Sequence, residues 1–382
     1  MTASIAASAV IQMQELCDYI ADFLHESSWD LRTCALVSPT LTSAAQRHLF
    51  HDVIFNRGCL DIDDVSNLGG YDEAGACRRF CSVLKTSPHL IPLVRRLRTS
   101  FEHAVLSQLG EIEFPNVRAV VLHRRSGGPT DDASLTLAAH LIGSPSLHRV
   151  GLYSPMFHSI GDVGRLFQNC TPALNSIVLH HVSVDERRPA SESDARNTCL
   201  KIRTLRWKTL FDQEPDWLLD PQCPFDLSGL TDFEYGATLT PAILKLLRSS
   251  RLSLRRLRID AQYAVNSDYT DDAQVALLAQ FPALTHLTIA STGKQLRDVE
   301  TLLAGLLPAN RIASLTIELM KVRQLQADAM RQLGATCASM SCTVVVHVRR
   351  TASGADGAGL ASLVRSAFAE VLGRGKLQVT VR

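Results

Sequence analysis

Residues 281–289 read FPALTHLTI: a turn-forming Phe281-Pro282-Ala283 leads into the apolar triplet Leu284, Leu287 and Ile289. The triplet closes on a period of two, so Leu287 and Ile289 face one side of a strand and His286 and Thr288 the other. The same apolar-x-x-apolar-x-apolar spacing stands at Val117/Val120/Leu122, Leu147/Val150/Leu152, Leu174/Ile177/Leu179, Ile202/Leu205/Trp207, Leu230/Phe233/Tyr235, Leu254/Leu257/Ile259 and Ile312/Leu315/Ile317. Val94/Leu97 is a partial first copy. From Val94 to Ile312 is 218 residues in eight steps, about 27 per step. In a chain that is 46% apolar, one such triplet arises by chance about one time in ten, so the even spacing carries the assignment.

Context supports it. Turn residues introduce several copies, as in Phe114-Pro115-Asn116, Ser144-Pro145-Ser146 and Thr171-Pro172-Ala173. Helical patterns precede others, at Ile160–Gln168, Pro241–Arg248, Asp271–Gln280 and Leu296–Leu306. A cycle of strand, loop, helix and turn at this period resembles a leucine-rich repeat, whose short parallel strands line one face of a solenoid. The Asn or Cys usual two residues beyond the third apolar position is absent from all eight full copies, so the array is divergent with looser turns. The expected fold class is α/β: a short all-α head, then an irregular leucine-rich-repeat-like solenoid with parallel strands. Ser341–Arg349 reads as a strand, Leu360–Leu372 as a helix and Leu377–Val381 as a last strand, which together would cap the array. The expected boundaries are 12–56 for the head, 57–92 for a connector, 93–320 for the solenoid and 321–382 for the αβαβ cap. Polar stretches at Gly58–Gly75 and Asp185–Asn197 are placed in loops.

Composition agrees with one repetitive stack. Of 382 residues 54 are leucine, or 14%, while Phe, Trp and Tyr together supply 6%. Net charge is 39 minus 38, or +1, so no global field recruits nucleic acid or an anionic membrane. The ten cysteines are scattered and are read as reduced thiols. The chain lacks a basic-flanked leader and an apolar run long enough to span a bilayer, so a cytoplasmic or nuclear location is expected.

The head is signalled by helix-start chemistry. Leu16, Ile20, Phe23 and Leu24 recur at helical spacing, and Ser27 followed by Asp30 resembles a capping box for a second helix. Ser38 and Pro39 then open a third helix bearing Leu41, Ala44, Ala45, His48 and Leu49. The run ELCDYIADFLHESSWDLRTCALVSPTLTSAAQRHLF, Glu15 to Phe50, resembles the F-box of fungal F-box proteins, above all at "DFLH", "LRTCALVS" and "RHLF". It covers about a tenth of the chain. The resemblance implies a three-helix module that docks on the Skp-type adaptor, and through it the cullin, of an SCF-type ubiquitin ligase. The rest of the chain would then select a protein substrate. Two departures from the family pattern stand out: Gln12-Met13 replaces the usual Leu-Pro, and Leu41 replaces a Trp. By resemblance, adaptor contact falls to Met13, Leu16, Ile20, Leu24, Leu36 and Val37; on the other reading these side chains form the core of a small helical subdomain.

Within each triplet the third and fifth positions face away from the buried fourth and sixth. Read along the array they give Arg149, Arg206, Asp232, Glu234, Arg256, Arg258 and His286, with threonines among them. Such a stripe either binds a partner of complementary charge or pairs with itself across neighbouring strands. Acidic interruptions and the lack of interleaved aromatics argue against nucleic acid. No nucleophile elbow, phosphate loop, His-Glu-x-x-His or paired Cys-x-x-Cys occurs, so neither catalysis, a cofactor nor a metal is implied. Cys77 and Cys81, and His180 and His181, read as packed side chains rather than ligands. The leading expectation is a non-catalytic substrate receptor of a ubiquitin ligase; the alternative is an adaptor-independent interaction scaffold.

Overall fold

The computed structural model describes residues 14–55, 72–124, 128–185, 199–209, 215–236, 240–260, 281–292, 296, 299–300, 303–304, 311–322, 327–350 and 357–381. The chain divides into two compact units, residues 1–174 with 184–198 and residues 175–183 with 199–382, and the division falls inside the span read as one solenoid. Gln12, Met13, the helix expected at Asp271–Gln280 and positions 186–197 of the expected insertion lie outside the described residues.

The N-terminal unit begins with three helices, α1 (Gln14–Phe23), α2 (Ser28–Ala35) and α3 (Pro39–Leu49). Their starts follow the expected caps: Ser27 Oγ accepts the Asp30 amide at 3.3 Å and Ser38 Oγ the Leu41 amide at 3.2 Å. Their core is made of Cys17, Ala21, Leu31, Leu41, Ala44 and Ala45, with Leu24, Ala35 and Leu49 packed against it. Small residues dominate because short helices must approach closely to bury anything. Leu41, where the family pattern has Trp, is one of the core residues.

Strand β1 (Asp52–Ile54) pairs in parallel with β2 (Arg96–Ser100), and β3 (Ala119–His123) and β4 (Arg149–Tyr153) continue the same sheet. The span read as a connector contains a full helix, α4 (Glu73–Thr86). Asp72 caps it, its Oδ1 accepting the Gly75 amide at 2.7 Å; a Cβ on Gly75 would collide with the Asp72 carboxylate, so a side chain there is incompatible with this cap. Helices α5 (His103–Leu109), α6 (Asp132–Ile142) and α7 (Ile160–Phe167) follow, each packed on its predecessor.

In the C-terminal unit the parallel order is β5 (Ser176–His180), β6 (Thr204–Lys208), β7 (Asp232–Gly236), β8 (Arg256–Asp260), β9 (His286–Thr292), β10 (Ser314–Val322), β11 (Thr343–Arg350) and β12 (Leu377–Val381). Helix α8 (Pro241–Ser249) lies between β7 and β8 in sequence, and α9 (Ala327–Ala338), α10 (Gly357–Ala367) and α11 (Ala369–Gly373) separate the last three strands. The two strands assigned to a cap pair in the same parallel sense and so extend the sheet itself.

Register explains why the triplet works. The fourth-position residues Leu205, Phe233, Leu257, Leu287 and Leu315 stand opposite one another on successive strands, and all are buried. The residue at position two turns its carbonyl to accept two amides from the next copy: Arg95 takes those of Arg118 and Ala119, and Thr231 those of Arg255 and Arg256. That shared acceptor fixes each strand's entry, and hence which side chains face out. No helix among the described residues is long and apolar enough to cross a membrane.

Candidate functional surfaces

The head presents an unusual inversion. Helix α1 turns Cys17 and Ala21 inward and leaves Leu16, Tyr19, Ile20 and Phe23 exposed, Phe23 at 81%. These four recur at positions i, i+3, i+4 and i+7, so they share one helical face. Polar ties hold the helix in this rotation: Arg47 on α3 pairs with Asp18, and His48 Nε2 lies 2.8 Å from Asp22 Oδ1. Trp29, Leu36 and Val37 are exposed as well, Leu36 at 89%. Of the residues assigned to adaptor contact, Leu16, Ile20, Leu36 and Val37 stand on the surface. Leu24 does not match them; just past the end of α1, it is partly buried against the head core.

On the C-terminal unit the charged positions form a dense network. Arg206 Nε is 3.1 Å and Lys208 Nζ 3.0 Å from the Glu234 carboxylate, and Arg256 pairs with Asp232. Arg258 donates to both oxygens of Glu318, at 2.6 and 2.7 Å, and its Nε is 3.4 Å from Glu234. Glu318 sits two strands away on β10, and the arginine reaches it past Thr288 on β9. Burial pushes the Glu318 carboxyl up, but the hydrogen bonds and charge of Arg258 outweigh it and leave it below the usual carboxylate range. Burial likewise opposes the Arg258 charge, and Glu318, Glu234 and Asp260 more than restore it. His286, opposite Arg256 in register, shares a 2.9 Å hydrogen bond with Thr285 Oγ1. The structure thus brings Arg206, Asp232, Glu234, Arg256, Arg258 and His286 onto one face, around a cleft of about 400 Å³. Its charges satisfy one another across strands, the second of the two arrangements the sequence allowed.

Arg149 belongs to the N-terminal unit, and there its company is different. It lines a cleft of about 500 Å³ with Arg95, Arg96, Arg98, Arg118, His51 and His123. Arg96 and Arg98 occupy the third and fifth positions of the partial copy Val94/Leu97, so the rule that found Arg149 applies to them too. They were missed because Thr99 stands where the third apolar residue should be; it is nevertheless completely buried. Arg96 and Arg118 form no ion pair among the described residues, and the nearest charge partner of Arg98 is Asp52 at 3.9 Å. Burial and then the charge of Arg96 lower the His51 pKa.

The remaining polar clusters are structural. Cys77 and Cys81 lie with sulfurs 3.9 Å apart inside α4, and each donates to a backbone carbonyl, of Val105 and Gln108 respectively. The hydrogen bond with Cys81, and then burial, push the Cys77 thiol up, away from the nucleophilic thiolate. His180 and His181 meet edge to face with ring centres 5.0 Å apart. Burial, together with His181 and Lys208, lowers the His180 pKa to about 3. Among the described residues no group of three His, Cys, Asp or Glu is placed to hold a metal ion.

No family model matches the chain, and no curated protein matches it. Among solved structures it is similar to the leucine-rich repeat-containing protein LegL7 from Legionella pneumophila, at 13% identity and a TM-score of 0.44, over 74% of this chain and 91% of that one.

Proposed function

We propose that the chain is a non-catalytic protein-interaction subunit: its F-box-like head docks on the Skp-type adaptor of a cullin-RING ubiquitin ligase, and its strand faces hold a target protein. The observation that carries this reading is the outward apolar face of α1, in a head whose sequence already resembles an adaptor-binding module. Large side chains such as Phe23, Trp29 and Leu36 left in water cost solvation free energy that burial in a partner recovers. The contribution to ubiquitin transfer would be proximity, holding a target lysine near a charged conjugating enzyme, with no bond chemistry done by this chain.

The test is capture of purified Skp-type adaptor by the full chain. Retention at micromolar concentration is expected, with a loss of at least about tenfold in Ile20→Asp/Leu36→Asp, whose replaced side chains lie outside the head core. If the wild-type chain fails to retain the adaptor, the ligase reading falls and the adaptor-independent scaffold takes its place.

A further inference from the structure

Cys77 and Cys81 pack inside the N-terminal unit, and their spacing suits a second task. They stand one helical turn apart on α4, both buried, with sulfurs 3.9 Å from one another. Residues i and i+4 of a helix hold their Cβ atoms about 5–6 Å apart, whereas a disulfide needs about 3.5–4.5 Å. Closing an S–S bond would also draw the sulfurs together by nearly 2 Å, and the turn would have to unwind. The helix therefore keeps the pair as two thiols. An ion bridging the sulfurs fits the same frame. Two metal–sulfur bonds of about 2.3 Å span at most about 4.6 Å end to end, so the sulfurs need part by less than about 1 Å to admit it.

A cleft of about 360 Å³ leads to the pair, lined by Cys81 with Arg78, Ser82 and Lys85 of α4, Gln108 of α5, and Glu111 beyond it. Gln108 Oε1 is buried without a hydrogen-bond partner among the described residues, a polar atom that the fold itself does not satisfy. Two thiolates around a monovalent ion carry one net negative charge. Lys85 is paired with Glu111, so Arg78, which forms no ion pair among the described residues, is the cation on the cleft wall that offsets it.

We propose that Cys77 and Cys81 form a two-coordinate site for a monovalent thiophilic ion, copper(I), which enters through this cleft. Soft thiolates select copper(I), zinc or iron–sulfur clusters. Zinc and clusters call for four ligands, and among the described residues no group of three His, Cys, Asp or Glu is placed to hold an ion. Copper(I) is satisfied by two sulfurs in line. On binding, both S–H groups release their protons to solvent and two S–Cu bonds form, with no change of oxidation state. The thiols give up their hydrogen bonds to the Val105 and Gln108 carbonyls, and the ion fastens two turns of α4 together. None of this involves the adaptor, so the inference stands apart from the functional reading above.

The test is anaerobic titration of the reduced full chain with Cu(I), read by competition with a coloured Cu(I) chelator. One equivalent is expected to bind, more tightly as the pH rises because protons are released, and loading should raise the thermal midpoint. Cys77→Ser and Cys81→Ser should each lose at least about a hundredfold in affinity, beyond what a change outside the ligands costs. Cys199→Ser, at an exposed cysteine, should bind as wild type. X-ray absorption of the loaded wild-type chain should show two sulfur neighbours around copper and no others, a readout that holds even if a serine variant folds poorly. No uptake by the wild-type chain overturns the proposal. So does full affinity in either the Cys77 or the Cys81 variant, or a copper with three or more neighbours.

Discussion

On the C-terminal unit Arg258 grips Glu318 with two hydrogen bonds while Arg206 and Lys208 share Glu234. On the N-terminal unit Arg96 and Arg118 have no carboxylate partner among the described residues. Both faces come from the same rule, the third and fifth positions of a buried triplet, and both have clefts of similar size. What separates them is the order of signs across neighbouring strands. Arg206, Glu234, Arg258 and Thr288 form one row, in which each charge finds its opposite one strand away. Arg96 and Ala119 begin another, in which Arg96 meets no opposite charge among the described residues of the neighbouring strands. Register delivers a side chain to a face; its neighbours in the row decide whether it stabilises the fold or is left to meet a partner.

Charge reversal should break this comparison most sharply. Arg258→Glu would set a third carboxylate between Glu234 and Glu318, both largely buried. A loss of about 3 kcal/mol in unfolding free energy is expected from the denaturant midpoint. Arg96→Glu on the exposed basic face should cost no more than about 0.5 kcal/mol, since it removes a like-charge contact and cuts no ion pair. Equal losses at the two positions would show that the pairing on the C-terminal unit contributes nothing to its stability.

The next difference lies in pH. The folded-state pKa of His180 is lowered from 6.5 to about 3, first by burial, and that of neighbouring His181 is lowered by burial too. Below pH 6.5 the unfolded chain takes up a proton that the folded one refuses, so stability falls as the pH falls, over the window from 6.5 to about 3. At pH 5 the loss from His180 is about 2 kcal/mol, and His180→Asn should flatten that slope. Glu318 acts in a lower window. Its pKa is depressed, so its contribution is present above about 4.5 and disappears only as the pH drops through the folded value. A thermal midpoint measured from pH 7 to pH 4 should therefore begin falling before any carboxylate titrates, and a flat profile down to pH 5 would contradict the placing of His180.

How far the sequence revealed this is best judged residue by residue. The strands were legible because Leu254, Leu257 and Ile259 and their equivalents repeat at a near-constant period, and a strand's period of two then assigns Arg256 and Arg258 to the other side. The rotation of α1 was not. Leu16, Ile20 and Phe23 form one apolar face and Cys17, Ala21 and Leu24 another, and periodicity finds both without saying which one the partner helices choose. Close approach favours the small residues, a matter of three-dimensional fit. Helix α4 was hidden because Gly75 reads as a loop residue, although it is the Asp72 cap that requires it. The basic cleft went unread for a narrower reason: a buried Thr99 in place of an apolar residue disqualified the copy that carries Arg96 and Arg98.

The smallest expected effect concerns the turns that follow the triplets. Two residues beyond the third apolar position, where repeats of this kind usually place Asn, stand Ser154 in the N-terminal unit and His181 in the C-terminal one, with φ of 57° and 51°. Both are therefore in the left-handed region, which costs an ordinary L-residue about 1 kcal/mol and Asn less. Ser154 is exposed, so Ser154→Asn should relieve the strain with nothing lost, raising stability by roughly 0.5 kcal/mol. His181 packs its ring against His180 and donates its amide to the Lys208 carbonyl at 2.8 Å. Replacing it with Asn keeps the amide bond and eases the backbone but removes the ring contact, so the two terms oppose and no net gain is expected. A gain at 154 with none at 181 would show that the absence of Asn from these turns is compensated by packing on one unit and left uncompensated on the other. Gains at both would mean that the His180–His181 contact stabilises nothing.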